Sequence, residues 1–112
     1  MRRTGPTKAV RDLVHQRDLD CIVCRQVDGL QIHHRRPRGM GGTRRVETNG
    51  PANLLLLCLN CHAWVESHRG SAQTSGLLVS QQENPADQPL WRRGEWVLLD
   101  DVGGMTRCPV IA

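Results

Sequence analysis

Nine residues of this chain could act as ligands or proton carriers, and they fall into two neighbouring groups. Cys21-x2-Cys24 and Cys58-x2-Cys61 form two CxxC pairs with 33 residues between Cys24 and Cys58. Each pair can offer two thiolates from one tight turn, and two such turns close a tetrahedral site of the kind zinc prefers. Four thiolates leave no open position for water, so the expected role of the ion is structural. One redox CxxC, or a disulfide, would not account for two pairs. Cys108 is left over and is assigned no chemistry. Beside the pairs stand His33 and His34, then His62 and His68, with Glu66 four residues past His62. Imidazoles and a carboxylate can bind a divalent ion, and an imidazole titrating near neutrality can take a proton from water.

The elements that must position these groups follow from periodicity and punctuation. Val10, Leu13 and Val14 recur at helical spacing, which predicts a short amphipathic helix over 7–17. Residues 30–34 begin with strand alternation, which places His33 and His34 on opposite sides. Residues 35–50 predict a long loop, and 53–58 a buried strand or turn. A helix is expected from Cys61 to about His68, ended by Gly70. There Cys61 and His62 stand about 100° apart, so one can face a zinc while the other faces elsewhere. Residues 70–76 predict a linker, 77–80 a strand and 81–89 a loop. Trp91 and 95–99 predict a hairpin turning at Arg93-Gly94, while the last ten residues show no pattern. Trp64 is expected in the core, with Trp91 and Trp96 sealing the hairpin. His15 is assigned no function.

Composition bounds the rest. The 112 residues suit one domain, but with no Phe, no Tyr and three Trp the core must be thin. Metal binding would add the folding energy that packing lacks. Net charge is +4 and unevenly placed: residues 1–50 carry eleven Arg or Lys against five acids, and residues 51–112 four against six. A basic half predicts a polyanionic partner such as nucleic acid. Arg35, Arg36, Arg38, Arg44 and Arg45 crowd the loop after the histidines, where guanidinium groups could grip phosphates. No membrane span or signal segment is evident, and five cysteines in a reducing compartment favour metal over disulfides. The expected location is the cytoplasm.

Ile32-His33-His34-Arg35, Asn53 and Cys61-His62, with Asn53 nine residues before His62, resemble the HNH endonucleases. The surrounding text, HHRRPRGMGG and PANLLLLCLNCHAWVESH, is similar to the small zinc-containing members of actinobacterial phages and prophages. The resemblance implies an α+β fold: a ββα-metal core with a structural four-cysteine zinc site and a C-terminal β-hairpin appendage. It divides the chain into a basic lead with a helix (1–20), a nuclease core (21–69) and a linker with appendage (70–112). It implies hydrolysis of DNA phosphodiester bonds with a second, catalytic ion, which could be Mg2+, Mn2+, Ni2+ or Zn2+. His33 and His62 would be ligands, His34 the general base, and Asn53 the residue whose amide braces the loop. Many members carry a third His where this chain has Glu66, so Glu66, His68 or water could fill that place. A role beside a phage terminase in genome packaging is a further implication. The rival expectation is a non-catalytic zinc-ribbon module for nucleic-acid binding or assembly.

Overall fold

The computed structural model describes residues 5–37 and 46–108, with the side chains of residues 46 and 47 left out. The α+β class is as expected. Helix α1 (Lys8–Asp18) starts where the Thr7 hydroxyl accepts from Val10 N at 3.2 Å. It ends at Leu19, whose φ of 67° turns the chain towards the first CxxC. Strands β1 (Gln31–His34) and β2 (Leu54–Leu57) form an antiparallel ribbon of four residue pairs, from Gln31 opposite Leu57 to His34 opposite Leu54. Helix α2 (Leu59–Ser67) follows β2 directly. Together β1, β2 and α2 make the expected ββα unit.

The four leucines of β2 explain how the layers stack. Strand alternation sends Leu55 and Leu57 into the main core with Ile22, Val65, Leu90, Val97 and Leu99. It sends Leu54 and Leu56 the other way, against Val14 of α1. A strand buried on both faces is continuously apolar, as here. Polar bonds fix α1 in the same place. The buried Asp18 carboxylate accepts from Leu56 N at 3.0 Å and from Arg17 Nε at 2.7 Å. Arg17 also donates to the carbonyls of Pro51 and Leu54, at 2.8 and 2.5 Å. The N-terminal helix is thus part of the core rather than a lead into it.

Several expectations beyond residue 69 need correction. Gly70 does not stop the helical run: a second helix, α3 (Arg69–Thr74), occupies most of the expected linker. Residues 77–80 are not a strand. Leu77, Leu78 and Val79 are buried as irregular chain, with Val79 N donating to Arg35 O at 2.8 Å. The hairpin turns at Arg93-Gly94 as expected, with φ of 51° and 93° suited to a two-residue turn. It joins β3 (Leu90–Arg92) to β4 (Glu95–Leu99), and a third strand, β5 (Met105–Arg107), pairs with β4. The appendage is therefore a three-stranded sheet. Trp64, Trp91 and Trp96 are each more than 40% exposed rather than buried, and Trp91 and Trp96 pack edge to face at 5.1 Å. No helix among the described residues is long and apolar enough to cross a membrane.

One arginine ties the C-terminal part to the ribbon. Arg35 is fully buried. Its guanidinium donates to four backbone carbonyls: Gly76 (2.8 Å), Ala52 (2.9 Å), Pro85 (3.0 Å) and Gln88 (2.8 Å). Burial lowers its pKa to about 10, so it stays charged at neutral pH. Gly76, one of the four acceptors, must be glycine because the Pro89–Leu90 backbone passes against it. Its φ is +81°, and a Cβ there would sit 2.1 Å from Pro89 O. Replacing Arg35 with Leu would strand these carbonyls, each costing about 1–3 kcal/mol when left without a donor. Arg35→Leu is expected to lower stability by more than about 3 kcal/mol in urea titration. An unchanged midpoint would show that the guanidinium bonds do not hold the appendage.

Candidate nuclease site

The two CxxC turns meet at the end of the ribbon far from His34. Backbone bonds Arg25 N to Cys21 O (2.9 Å) and Cys21 N to Gln26 O (2.9 Å) shape the first turn. Ile22 N donates to Leu56 O at 3.0 Å and fastens it to β2. Cys58 caps α2, its Sγ accepting from Cys61 N at 3.4 Å. The four sulfurs of Cys21, Cys24, Cys58 and Cys61 all lie within 4.8 Å of one another, and Cys24 and Cys58 are 3.6 Å apart. Sulfurs around one tetrahedral zinc stand about 3.8 Å apart, as Zn–S bonds of about 2.3 Å require. The donor set therefore fits zinc. Burial alone would raise the Cys21 thiol, but N–H groups of Cys24, Cys58 and Val23 outweigh it and bring its pKa to about 7. Burial and the three neighbouring thiols push Cys61 upward. Four thiolates cannot share this space without a cation to offset their repulsion. Arg93 of the hairpin turn adds a clamp, donating to Asp20 Oδ1 at 2.5 Å and Cys21 O at 2.8 Å.

At the other end, Ile32, His33, His34, Pro37, His62, Glu66 and Leu78 line a cleft of about 260 Å3. Alternation along β1 turns His33 inward and leaves His34 half-buried at the rim. His33 Nε2 lies 2.8 Å from Leu77 O. A carbonyl only accepts, so Nε2 carries the hydrogen and Nδ1 keeps the lone pair. Burial lowers the His33 pKa to about 4, which leaves the ring neutral at pH 7. The His33 and His62 rings meet edge to face with centroids 5.4 Å apart. His62 Nε2 stands 4.0 Å from Glu66 Oε1, one helical turn on. Among the described residues, only the four cysteines bring three or more such donor atoms this close together.

Asn53 is fully buried at the start of β2. Its Oδ1 accepts from Arg36 N at 2.7 Å, and its Nδ2 donates to Arg36 O at 3.0 Å and Thr48 O at 2.8 Å. Arg35 N donates to Asn53 O at 2.8 Å. One side chain thus holds both banks of the β1–β2 connection just after His34. Residues 21–66 match the family model described as HNH endonuclease. The match covers 46 of the chain's 112 residues. The family acts on DNA as nucleases. No curated protein and no solved structure shows significant similarity to the chain.

Several expected site residues have other partners in the fold. Arg35 and Arg36 are buried, and both serve the fold rather than a phosphate. Arg36 Nη1 donates to Glu83 O at 2.7 Å, while Arg35 holds the four carbonyls described above. Arg38, Arg44 and Arg45 lie outside the described residues. His68 does not line the cleft: its ring stacks on Trp64 at 4.9 Å, and Nδ1 is 3.2 Å from Trp64 O. Glu66 does line it, held on its outer side by Arg69 at 3.1 Å. Asn49 was not anticipated, since an Asn before Gly-Pro signals only a turn. Its Oδ1 is 2.8 Å from His34 Nε2. The Leu77 carbonyl was not foreseeable, because a backbone acceptor leaves no mark in residue type.

Two outcomes follow. Purified protein should carry one zinc per chain by elemental analysis, and Cys58→Ser should lose both the metal and cooperative unfolding. A zinc-free wild type with an unchanged melting curve would contradict this. His33 adds a pH dependence. Its folded pKa of about 4 lies below the reference value of 6.5. The unfolded chain therefore binds the extra proton first, and stability falls as pH drops from about 6.5 to about 4. The size is about 3 kcal/mol, at about 1.4 kcal/mol per pKa unit. His33→Gln, which cannot titrate, should lose about that much less over the same range in parallel denaturant titrations. Identical losses would place the acid sensitivity elsewhere.

Proposed function

We propose that the chain is a metal-dependent endonuclease that hydrolyses DNA phosphodiester bonds. The observation that carries this is the half-buried His34 at a cleft shared with neutral His33, His62 and Glu66, on a turn held by Asn53. His33 Nδ1, the His62 ring and the Glu66 carboxylate are the donors that would hold a divalent ion, and imidazole with carboxylate suits Mg2+, Mn2+, Ni2+ or Zn2+. When bound, such an ion polarises the phosphate and offsets charge on the leaving oxygen. Glu66 is the third ligand in this reading, since His68 is engaged with Trp64.

His34 takes the proton from the attacking water through an unprotonated ring nitrogen. Asn53 keeps the backbone after His34 from moving during that transfer. His33 stays neutral through burial, so it offers a lone pair rather than a positive charge. With Arg35 and Arg36 engaged in the fold, Arg38, Arg44 and Arg45 are the loop residues left to grip phosphates. One site per chain produces a nick, and double-strand cutting needs two engagements. The phage resemblance extends the proposal to cleavage linked to genome packaging, beside a terminase and in the cytoplasm.

The test is plasmid nicking by zinc-loaded protein with EDTA, and with each of the four ions added separately. Nicking is expected only with an added ion. His34→Ala should lower kcat about 100-fold or more while leaving folding and DNA binding intact. Glu66→Gln should raise the ion concentration needed for half-maximal rate, and His68→Ala should not. No cleavage with any ion, from folded and zinc-loaded protein, would leave a non-catalytic DNA-binding or assembly module.

A further inference from the structure

We propose that Asn49 is the positioning residue that sets the tautomer and orientation of His34. This rests on the reading of His34 as the general base. His34 Nε2 and Asn49 Oδ1 are 2.8 Å apart. An amide oxygen only accepts, so the imidazole hydrogen sits on Nε2 and the lone pair on Nδ1. A general base needs one ring nitrogen unprotonated and free, and this contact leaves Nδ1 as that nitrogen. His33 reaches the same tautomer through its own Nε2 contact with Leu77 O. The two adjacent histidines therefore both keep Nδ1 for the chemistry.

Asn49 can hold a ring because it is itself held. It closes the 3-10 turn Val46–Asn49, and the next turn, Pro51–Asn53, begins after one residue. Asn53 Nδ2 donates to Thr48 O, the carbonyl immediately before Asn49, at 2.8 Å. Asn53 N donates to Gly50 O, immediately after it, at 3.0 Å. Thr48 and Pro51 are buried on either side. The two asparagines thus act in series: Asn53 fixes the backbone around Asn49, and the Asn49 amide fixes the imidazole. The relay is short, four residues from Asn49 to Asn53.

Asn49→Leu and Asn49→Asp test it, because Asp can accept from Nε2 but cannot donate. Both are assayed at pH 8.5 beside wild type and His34→Ala, with zinc content and melting temperature recorded. Asn49→Leu is expected to lower kcat about 10–100-fold with KM for plasmid unchanged, the usual scale for a group that orients a reacting side chain. Asn49→Asp is expected to stay within a few-fold of wild type. Nitrogen-15 NMR of the histidines should show His34 with hydrogen on Nε2 in wild type and Asn49→Asp, and a mixture in Asn49→Leu. Full activity of Asn49→Leu, an equal loss in folded Asn49→Asp, or an unchanged tautomer in Asn49→Leu would each overturn the proposal and leave the nuclease reading standing. If wild type does not cut at all, the nuclease reading fails, and the NMR comparison alone decides whether Asn49 sets the ring. If Asn49→Leu does not fold, Asn49→Asp decides: retained rate and tautomer support the proposal, and their loss overturns it.

Discussion

The side-chain amide of Asn53 has one acceptor and two donor hydrogens, and all three find a backbone partner across the β1–β2 connection. Without this, a ribbon of four residue pairs would have little to hold its open end. A two-stranded ribbon is at best marginal alone in water. Here the far end is closed by the cysteine cluster, which binds the turn before β1 to the residue after β2. The near end is closed by Asn53. A ribbon fixed at both ends cannot slip register, and a slip of one residue would exchange the inward His33 for the outward His34. The separate roles proposed for the two histidines depend on that register.

The same constraint explains why so much of the interior is polar. A chain without Phe or Tyr cannot fill its centre with large side chains. Long buried cations take that space instead. Arg17 and Arg35 carry aliphatic stems through the core and end on carbonyls that irregular chain would otherwise leave without donors. Carbonyls of this kind have fixed positions, so each guanidinium admits few alternative packings. A fully bonded polar network specifies one arrangement more sharply than it adds net stability. This suits a fold whose purpose is to hold a few side chains in fixed relation.

The cysteine cluster was legible because the spacing of two CxxC pairs carries it, whereas Asn53 and the ββα order were expected from the HNH resemblance. Ligands from one turn lie two or three residues apart, and a strand or helix converts spacing into direction. The burial of Arg35 and Arg36 was not legible, for the opposite reason. Arg35 and Arg36 have the residue type of phosphate contacts, but their burial depends on a segment 41 to 53 residues later folding back over them. Nothing local announces that return. Gly70 looked like a helix stop because glycine is common there, yet the chain resumes a helix one residue after α2 ends. Strand β5 is three residues long and is defined by its pairing with β4, so no periodicity could reveal it.

Helix α2 links the two ends of the ribbon. Cys61 and His62 are consecutive, so they point about 100° apart from one backbone segment. Cys61 joins the sulfur cluster and His62 faces the cleft. The first turn of α2 also carries Cys58 as its cap. An ion held by the four sulfurs therefore fixes the start of this helix, and with it the bearing of His62 and, one turn on, of Glu66. The structural site does more than stabilise the fold. An ion there would also set the distance between the helix and β1, on which the proposed convergence of His33, His62 and Glu66 depends. The three side chains already line one cleft, with the His33 and His62 rings 5.4 Å apart between centroids and His62 Nε2 4.0 Å from Glu66 Oε1.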